Sequence, residues 1–239
     1  MNVVKSSLPS YITIIGGGKG GVGKSTVAIS LIDYYQQRDE PITVIDMDTA
    51  NQDVLKAFSG SGLPVHALDM TKVEGWSEFS DLCLAASGRQ VVVNTRGSNS
   101  IEVIEFGPVF NEVVSELPMA RCFFVIERSI DSALHLRKFV DAMPALPTHV
   151  LKNLRFGEDQ EFTNFDESTV KRQVVAAGGR VACFPRAYDR ITEGYRTKRL
   201  SLAAVAESGT TFDRAMVSKW RRDVAQVFDE LGGISATAP

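Results

Sequence analysis

The chain has 239 residues, of which 44% are hydrophobic, 23% are charged and 8% are aromatic. This composition excludes an intrinsically disordered or collagen-like protein and is sufficient for one sizeable hydrophobic core. The formal net charge of -3, from 26 basic and 29 acidic residues, argues against a protein whose whole surface is basic, while a local basic patch is compatible with it.

Short apolar or β-branched runs alternate with longer segments of helical periodicity, which is the pattern of successive βαβ units. Strands are predicted at 11–16, 42–46, 90–94, 121–126, 148–152 and 180–184. Helices are predicted at 24–38, 76–86, 102–116, 130–142, 167–177, 197–206 and 211–231. The pattern indicates an α/β fold with a mostly parallel sheet that is covered by helices on both faces.

The same chain shows no linker between two apolar blocks, so we expect one domain over residues 1–231 and a flexible tail at 232–239. The acidic, turn-rich segment 157–166 is predicted to be a solvated loop. Cys83, Cys122 and Cys183 lie far apart, which argues against a disulfide framework or a thiolate zinc site. Because no apolar run resembles an export signal or a membrane span, we expect a cytoplasmic protein.

The first predicted strand runs into a glycine-rich segment and then into the first predicted helix. Residues 18–25 match the phosphate-binding pattern GxxxxGK(S/T) in this strand, loop and helix context. Glycines allow successive N–H groups to surround a phosphate, the lysine adds a full charge, and the serine hydroxyl can ligate Mg²⁺. The predicted nucleotide-binding residues are Gly18, Lys19, Gly20, Gly21, Val22, Gly23, Lys24, Ser25 and Thr26.

The letters KGGVGKST at 19–26 resemble the deviant phosphate loop of the ParA/MinD family of P-loop ATPases, in which an additional lysine stands at the head of the loop. This resemblance implies that ATP and Mg²⁺ are bound. It also implies that Lys19 reaches across a nucleotide-sandwich homodimer to the phosphates of the partner subunit, while Lys24 contacts those of its own. A second cation there would stabilise the charge of the transition state.

The ends of two predicted strands resemble further parts of the family pattern. By this resemblance Asp46 holds a magnesium-bound water and Asp48 orients the attacking water. Asn94 stands where the family usually ends its strand in aspartate, and an amide carries no charge for the metal. The resemblance therefore implies a magnesium site formed by Ser25, Asp46 and Asn94, with slow hydrolysis as the expected consequence.

Two later positions resemble the family's adenine-binding segments, namely Asn153 at the end of a strand and Pro185 in a following loop. The guanine-specific motif Asn-Lys-x-Asp is absent, which favours ATP over GTP. The compact size and the altered third motif are most similar to the small ParA-like proteins of plasmid transfer and stability regions, the TraL and StbB type. We expect no helix-turn-helix domain ahead of the phosphate loop.

The segment 186–222 carries nine basic and four acidic residues, a local net charge of +5 that suits sequence-independent contacts to DNA phosphates. The candidate DNA-binding residues are Arg196, Lys198, Arg199, Lys219, Arg221 and Arg222. A solvated helix face is the alternative. The last predicted helix carries an apolar stripe from Phe212 to Leu231 for which packing on the domain is favoured over a membrane contact.

These observations predict an ATP-dependent dimerising ATPase that hydrolyses ATP slowly and acts in plasmid partition, stability or conjugative mobilisation. Its expected partners are a second copy of the chain and an adaptor or cargo protein. DNA is a further expected partner, which the basic segment 186–222 would contact. A non-hydrolysing ATP-bound scaffold and a metabolic P-loop synthetase or kinase are the two alternatives.

Overall fold

The computed structural model describes residues 11–86, 88–97, 100–114, 116–117 and 119–232, with only the backbone at 100–104. Seven strands form one sheet in the order β3-β2-β4-β1-β5-β6-β7, and every neighbouring pair is parallel. The strands are β1 (Ile12–Gly16), β2 (Ile42–Asp46), β3 (Val65–Ala67), β4 (Gln90–Asn94), β5 (Ala120–Ile126), β6 (Thr148–Asn153) and β7 (Val181–Phe184). The predicted parallel α/β sheet is confirmed.

Ten helices lie in the described part of the chain, together with two 3₁₀ turns at Leu154–Phe156 and Asp159–Glu161. The helices are α1 (Lys24–Gln36), α2 (Asp53–Phe58), α3 (Val73–Ala85), α4 (Ser100–Val114), α5 (Ile130–Ala142), α6 (Thr163–Asp166), α7 (Thr169–Ala176), α8 (Asp189–Arg196), α9 (Leu202–Glu207) and α10 (Thr211–Glu230).

The sheet separates two hydrophobic clusters, because successive side chains of a strand point to opposite faces. In β5, Phe123 packs with α1, α2 and α8 to α10, whereas Phe124 packs with α3 to α7. The central strands are buried along their whole length, so they are continuous apolar runs in the sequence. Helices therefore cover both faces, as predicted.

The last helix, α10, buries its apolar stripe in the first of these clusters. Trp220, Val224 and Val227 are buried there, while Phe212 at the start of the helix is 73% exposed. The Arg221 guanidinium forms a two-pronged ion pair with Asp33 of α1, at 2.7 and 2.8 Å. Packing on the domain is thus the role of this stripe. Among the described residues, no helix has the length and apolarity needed to cross a bilayer.

Several local predictions were wrong or incomplete. The edge strand β3 and the helices α2 and α8 were not predicted, because three to eight residues are too few for a clear periodicity. The predicted helix 197–206 begins only at Leu202, where the Ser201 side chain caps it by accepting a hydrogen bond from the Ala204 N–H.

The segment 157–166 is folded rather than a solvated loop. The nearly buried ammonium of Lys152 donates hydrogen bonds to Asp159 and Asp166, both at 2.7 Å, and so holds the segment against the end of β6. Phe162 and Phe165 of the segment are buried. The predicted tail 232–239 lies outside the described residues except for Gly232, whose carbonyl accepts a hydrogen bond from Arg121.

Candidate nucleotide-binding site

The phosphate loop connects β1 to α1 at the carboxyl end of the central strand, where open parallel sheets place their ligands. Gly21 and Gly23 have φ values of 81° and 106°, a left-handed conformation that favours glycine. Gly23 is the N-cap of α1, so the amino end of the helix faces the space inside the loop. The loop has the geometry expected of an anion-binding turn.

Three neighbours hold the phosphate loop in place. The Asn153 side-chain amide donates to the Val22 carbonyl at 2.8 Å. A Cβ atom at Gly18 would collide with His135 of α5. A Cβ atom at Gly97, in the segment after β4, would lie 2.8 Å from the Gly20 backbone, so only glycine allows this close approach. The loop is therefore preorganised by its surroundings.

Beside the loop lies an open cleft of about 230 Å³. Its lining comes from the phosphate loop, the ends of β2 and β4, the turn after β6, and α8. The lining residues are Gly20, Gly21, Gly23, Lys24, Ser25, Thr26, Asp48, Ala50, Asn51, Asp53, Arg96, Gly97, Arg155, Tyr195 and Arg196. The structure thus brings together most of the predicted phosphate loop residues and Asp48.

Lys24 is only 6% exposed and donates a hydrogen bond from Nζ to the Lys19 carbonyl at 2.9 Å. Burial lowers the pKa of Lys24 to about 8, against a smaller opposing effect of the Asp48 charge. A buried lysine without a paired carboxylate is costly in the free protein. A bound phosphate would supply the missing negative charge.

Asp46 and Asn94 lie side by side at the ends of the paired strands β2 and β4. The Asp46 carboxylate accepts hydrogen bonds from the Asn94 amide at 2.9 Å and from the N–H groups of Asp48 and Leu55 at 3.1 and 3.0 Å. Burial nevertheless raises its pKa above the usual value, against the effect of these donors.

The oxygen of the Asn94 amide, Oδ1, is buried and has no hydrogen-bond partner in the described part of the chain. An unpaired buried acceptor fits a ligand that brings a donor, such as a metal-bound water. Ser25, in the first turn of α1, lines the adjacent cleft. Ser25, Asp46 and Asn94 offer the oxygen donors that Mg²⁺ prefers. Asp46 and Asn94 are buried and do not line the cleft, so the magnesium site formed by these three residues stays a prediction. Among the described residues, no group of three or more His, Cys, Asp or Glu side chains is arranged so that it could hold a metal ion.

Asp48 has a different environment from Asp46. Its Oδ1 accepts hydrogen bonds from the N–H groups of Ala50 and Asn51, at 3.2 and 3.1 Å, which fixes the turn after β2. No described residue bonds to its other oxygen, and the side chain lines the cleft. One oxygen is thus free to act on a ligand.

Lys19 points away from its own cleft. Its Nζ lies 2.8 Å from Asp131 of α5 and 3.4 Å from Glu127 at the end of β5. The hydrogen bond and charge of Asp131 raise the pKa of Lys19, so the side chain is a stable cation. With 37% of the side chain exposed, this cation is accessible from outside the subunit.

The two predicted adenine contacts are not part of the cleft lining. The amide of Asn153 is already bonded to the Val22 carbonyl and to the Arg155 N–H, so in this structure it supports the loop. Pro185 lies beside α10, where its carbonyl accepts a hydrogen bond from Trp220 at 3.3 Å. Both adenine contacts stay predictions.

The predicted DNA patch is smaller in the structure than in the sequence. Arg221 is committed to the buried Asp33, and Arg196 lines the nucleotide cleft and pairs with Asp53 at 3.4 Å. Sequence spacing does not show that these two side chains have partners within the fold. Arg196 is nevertheless exposed, and the assignment of both residues to DNA stays a prediction. The cations on the outer surface are Lys198, Arg199, Lys219 and Arg222, of which Lys198 pairs with Glu193 and Lys219 with Asp223.

Several cleft residues were missed by sequence reasoning. Arg96, Arg155 and Tyr195 all line the cleft, and the Tyr195 hydroxyl lies 2.6 Å from the Thr26 hydroxyl. Arg96 lies two residues after Asn94, and Arg155 lies two residues after Asn153. Their positions just beyond predicted strand ends could have identified them as cleft residues. Tyr195 had none, because α8 itself was not predicted.

Comparison with known proteins agrees with this geometry. Residues 13–161 match the profile of the CobQ/CobB/MinD/ParA nucleotide binding domain. Protein MobD of Acidithiobacillus ferrooxidans is 32% identical over 219 residues, which are 91% of this chain and 96% of that protein.

Solved structures share the fold at low sequence identity. The MinD cell division protein of Aquifex aeolicus has a TM-score of 0.59 at 14% identity, covering 96% of this chain and 100% of that one. MinD of Pyrococcus horikoshii, complexed with Mg-ADP, has a TM-score of 0.51 at 14% identity, with the same coverage. The profile match extends over more than half of the chain and contains the phosphate loop. The chain therefore belongs to the CobQ/CobB/MinD/ParA family of nucleotide-binding domains.

Proposed function

We propose that this chain is an ATPase that dimerises when it binds ATP, hydrolyses ATP slowly, and acts in plasmid partition, stability or conjugative mobilisation. The observation that carries the proposal is that two lysines of one loop point in different directions. Lys24 lies inside its own cleft, whereas Lys19 faces outward as an accessible cation. The relationship to MobD supports the plasmid-related setting.

The surface around Lys19 supports a dimer. Ile130 and Leu134, one turn apart on α5, are 59% and 54% exposed, and Asp131 lies between them in sequence. Apolar side chains beside an outward-facing cation favour association with another protein surface. In a dimer of this kind Lys19 would exchange Asp131 and Glu127 for phosphates bound by the partner subunit.

The environment of Asn94 supports slow turnover. The catalytic part that we assign to the chain is binding of the phosphates by the loop and Lys24, and orientation of the attacking water by Asp48. Ser25, Asp46 and Asn94 would hold Mg²⁺, which would neutralise phosphate charge. Asp46 would be the one carboxylate among these three residues, where the family pattern has two. Asn94 replaces the second with an uncharged oxygen acceptor.

Non-specific DNA is a further proposed partner, supported by the outward-facing Lys198, Arg199 and Arg222 and the local net charge of +5. ATP turnover measured alone, with duplex DNA and with candidate small substrates distinguishes the three hypotheses. Turnover in the absence of any substrate supports the switch, turnover only with a small substrate supports a metabolic enzyme, and none under any condition supports a scaffold.

The decisive experiment compares two lysine variants. We expect Lys24→Ala to lose ATP binding, because it removes the buried cation of the cleft. Lys19→Ala should bind ATP within a few-fold of the wild type but lose ATP-dependent dimerisation and turnover. A fluorescent ATP analogue reports binding and light scattering reports mass. Lys138→Ala, a lysine of α5 outside the cleft, is the matched control. Equal loss of binding in both loop variants would refute the role of Lys19 in trans.

A further inference from the structure

An apolar groove lies between α3 and α4, on the face of the sheet opposite α10. It has a volume of about 220 Å³, and none of its lining residues belongs to the nucleotide cleft. The aromatic rings of Trp76, Phe106 and Phe110 form its base, with ring centroids 5.4 to 5.6 Å apart. Val73 and Val109 at the two sides are 64% and 63% exposed. This is a larger apolar surface than scattered single residues would produce.

Contacts beneath the groove keep it open. Asn111 of α4 donates to the Ala142 carbonyl at 2.7 Å and accepts from the Ala145 N–H, which ties α4 to the end of α5. A Cβ atom at Gly107 would lie 3.1 Å from the same Ala142 carbonyl, so α4 approaches α5 closely there. On the other side, Trp76 Nε1 donates to the Met70 carbonyl at 3.0 Å. Each of the two helices is thus held by contacts outside the groove, while their aromatic rings meet at its base.

The helices that flank the groove carry charge of one sign only. No lysine or arginine occurs at 73–88 or at 97–119, although the chain as a whole has 26 basic residues. The exposed acidic residues of these two helices do not line the groove itself, and we refer to them as the acidic rim; they are Glu74, Glu78 and Asp81 on α3 and Glu105 and Glu112 on α4. An apolar groove with an acidic rim favours a ligand that is apolar in the middle and basic at its edges.

This charge pattern discriminates between possible occupants. Two copies of the chain joined through this groove would bring two acidic rims together, and like charges at an interface cost binding energy. An anionic lipid surface or a nucleic acid would be repelled for the same reason. An amphipathic helix with a basic polar face matches both the apolar base and the rim.

We propose that the groove between α3 and α4 is the docking site for an amphipathic helix of a partner protein whose polar face is rich in lysine and arginine. The groove runs between helices of 13 and 15 residues, so a helix of about four turns matches its length. Its separation from the nucleotide cleft makes this surface independent of the ATPase role proposed above.

The test uses the full chain and two synthetic 14-residue amphipathic helical peptides with identical leucine positions, one with lysine and one with glutamate on the polar face. Trp76 is one of two tryptophans in the chain and lies in the groove, so its emission reports occupancy directly. We expect a blue shift of emission and an increase in peptide anisotropy with the lysine peptide alone, and weaker binding as salt is added.

Three variants locate the binding. Val109→Asp introduces a charge into the groove, and the triple variant Glu74→Gln, Glu78→Gln, Glu105→Gln removes rim charge without changing shape. We expect Val109→Asp and the triple variant each to weaken binding of the lysine peptide at least tenfold. Val175→Asp changes an equally exposed valine on α7 and should have no effect. Circular dichroism of each variant verifies folding, which surface positions should preserve.

Four outcomes would overturn the proposal. The first is equal binding of both peptides, and the second is equal weakening by Val109→Asp and Val175→Asp, either of which would indicate non-specific adhesion. The third is a concentration-dependent increase in mass that Val109→Asp abolishes, which would assign the groove to a second copy of the chain. The fourth is Trp76 emission already shifted in the free protein and unresponsive to peptide, which would assign it to a terminal segment of the same chain.

Discussion

At the scale of single residues, Lys24 connects burial to ligand binding. Its pKa of about 8 in the free protein means that the ammonium form begins to disappear just above neutral pH. Because phosphate contacts require the ammonium, we expect ATP affinity to be constant below about pH 8 and to fall by up to tenfold per pH unit above it. Titration with a fluorescent ATP analogue between pH 7 and pH 10 measures this.

Two variants test the assignment of that pH dependence. Lys24→Arg keeps its charge throughout the range and should remove the decline. Lys19→Ala should retain it, since Lys19 is an exposed cation whose pKa is raised rather than lowered. Affinity that stays constant to pH 10 in the unmodified chain would contradict the prediction.

Asn94 offers a second residue-scale test. Asn94→Asp removes the amide donor from Asp46 and places two carboxylates together, so we expect the free energy of unfolding without Mg²⁺ to fall by about 1–3 kcal/mol. Burial already raises the pKa of Asp46, and the second carboxylate raises it further. A raised carboxyl pKa stabilises the fold at low pH, and that contribution is lost as the pH rises through it.

The response to metal completes this prediction. Addition of Mg²⁺ should restore the stability of Asn94→Asp and raise its turnover. The two negative carboxylates repel each other in the free protein and together form a better cation site. Thermal unfolding with and without MgCl₂ measures the effect, and Asn94→Ala, which lacks the second carboxylate, should show no such recovery. A variant as stable as the wild type without metal would place Asn94 outside the site.

At the scale of elements, α10 is attached to α1 by the buried pair of Asp33 and Arg221. Asp33 is 3% exposed, so Asp33→Ala leaves the Arg221 guanidinium without its partner in a partly buried position. We expect this change to lower the free energy of unfolding by about 3 kcal/mol. Chemical denaturation measures it. Lys219→Ala, which removes an exposed pair on the same helix, is the control and should leave stability unchanged; equal effects would show that the buried pair has no special role.

The central strands and the long helices were predictable, whereas β3, α2, α6 and α8 were not. The central strands β1, β4 and β5 are covered by helices on both faces of the sheet. Because both faces are buried, their sequences are continuous apolar runs that are easily recognised. The segment 157–166 was misjudged because its acidic side chains are typical of loops. Asp159 and Asp166 are instead partners of Lys152, and nothing in local sequence reveals a lysine that lies across the turn.

At the scale of the whole molecule, the local features of the candidate site could be predicted from the sequence, but its contacts between distant segments could not. The phosphate loop was predictable because its function depends on backbone conformation, which glycine spacing encodes locally. Contacts between distant segments were not predictable: the position of Gly97 against Gly20 and the bond from Asn153 to Val22 depend on the order of strands. For the same reason the sequence did not reveal that Arg196 pairs with Asp53 and Arg221 with Asp33.

The order of the strands also determines when the site can form during synthesis. β1 and the phosphate loop leave the ribosome before the other described elements, but both edges of β1 pair with strands made much later, with Ile12 opposite Val91 and Ala120. The hydrogen bond from Asn153 to the Val22 carbonyl of the loop forms only after Asn153 has been synthesised. A nascent chain shorter than about two thirds of its length therefore holds the nucleotide motif without the walls that shape it. We therefore expect formation of a competent phosphate site to depend on the pairing of distant segments more than on the local loop.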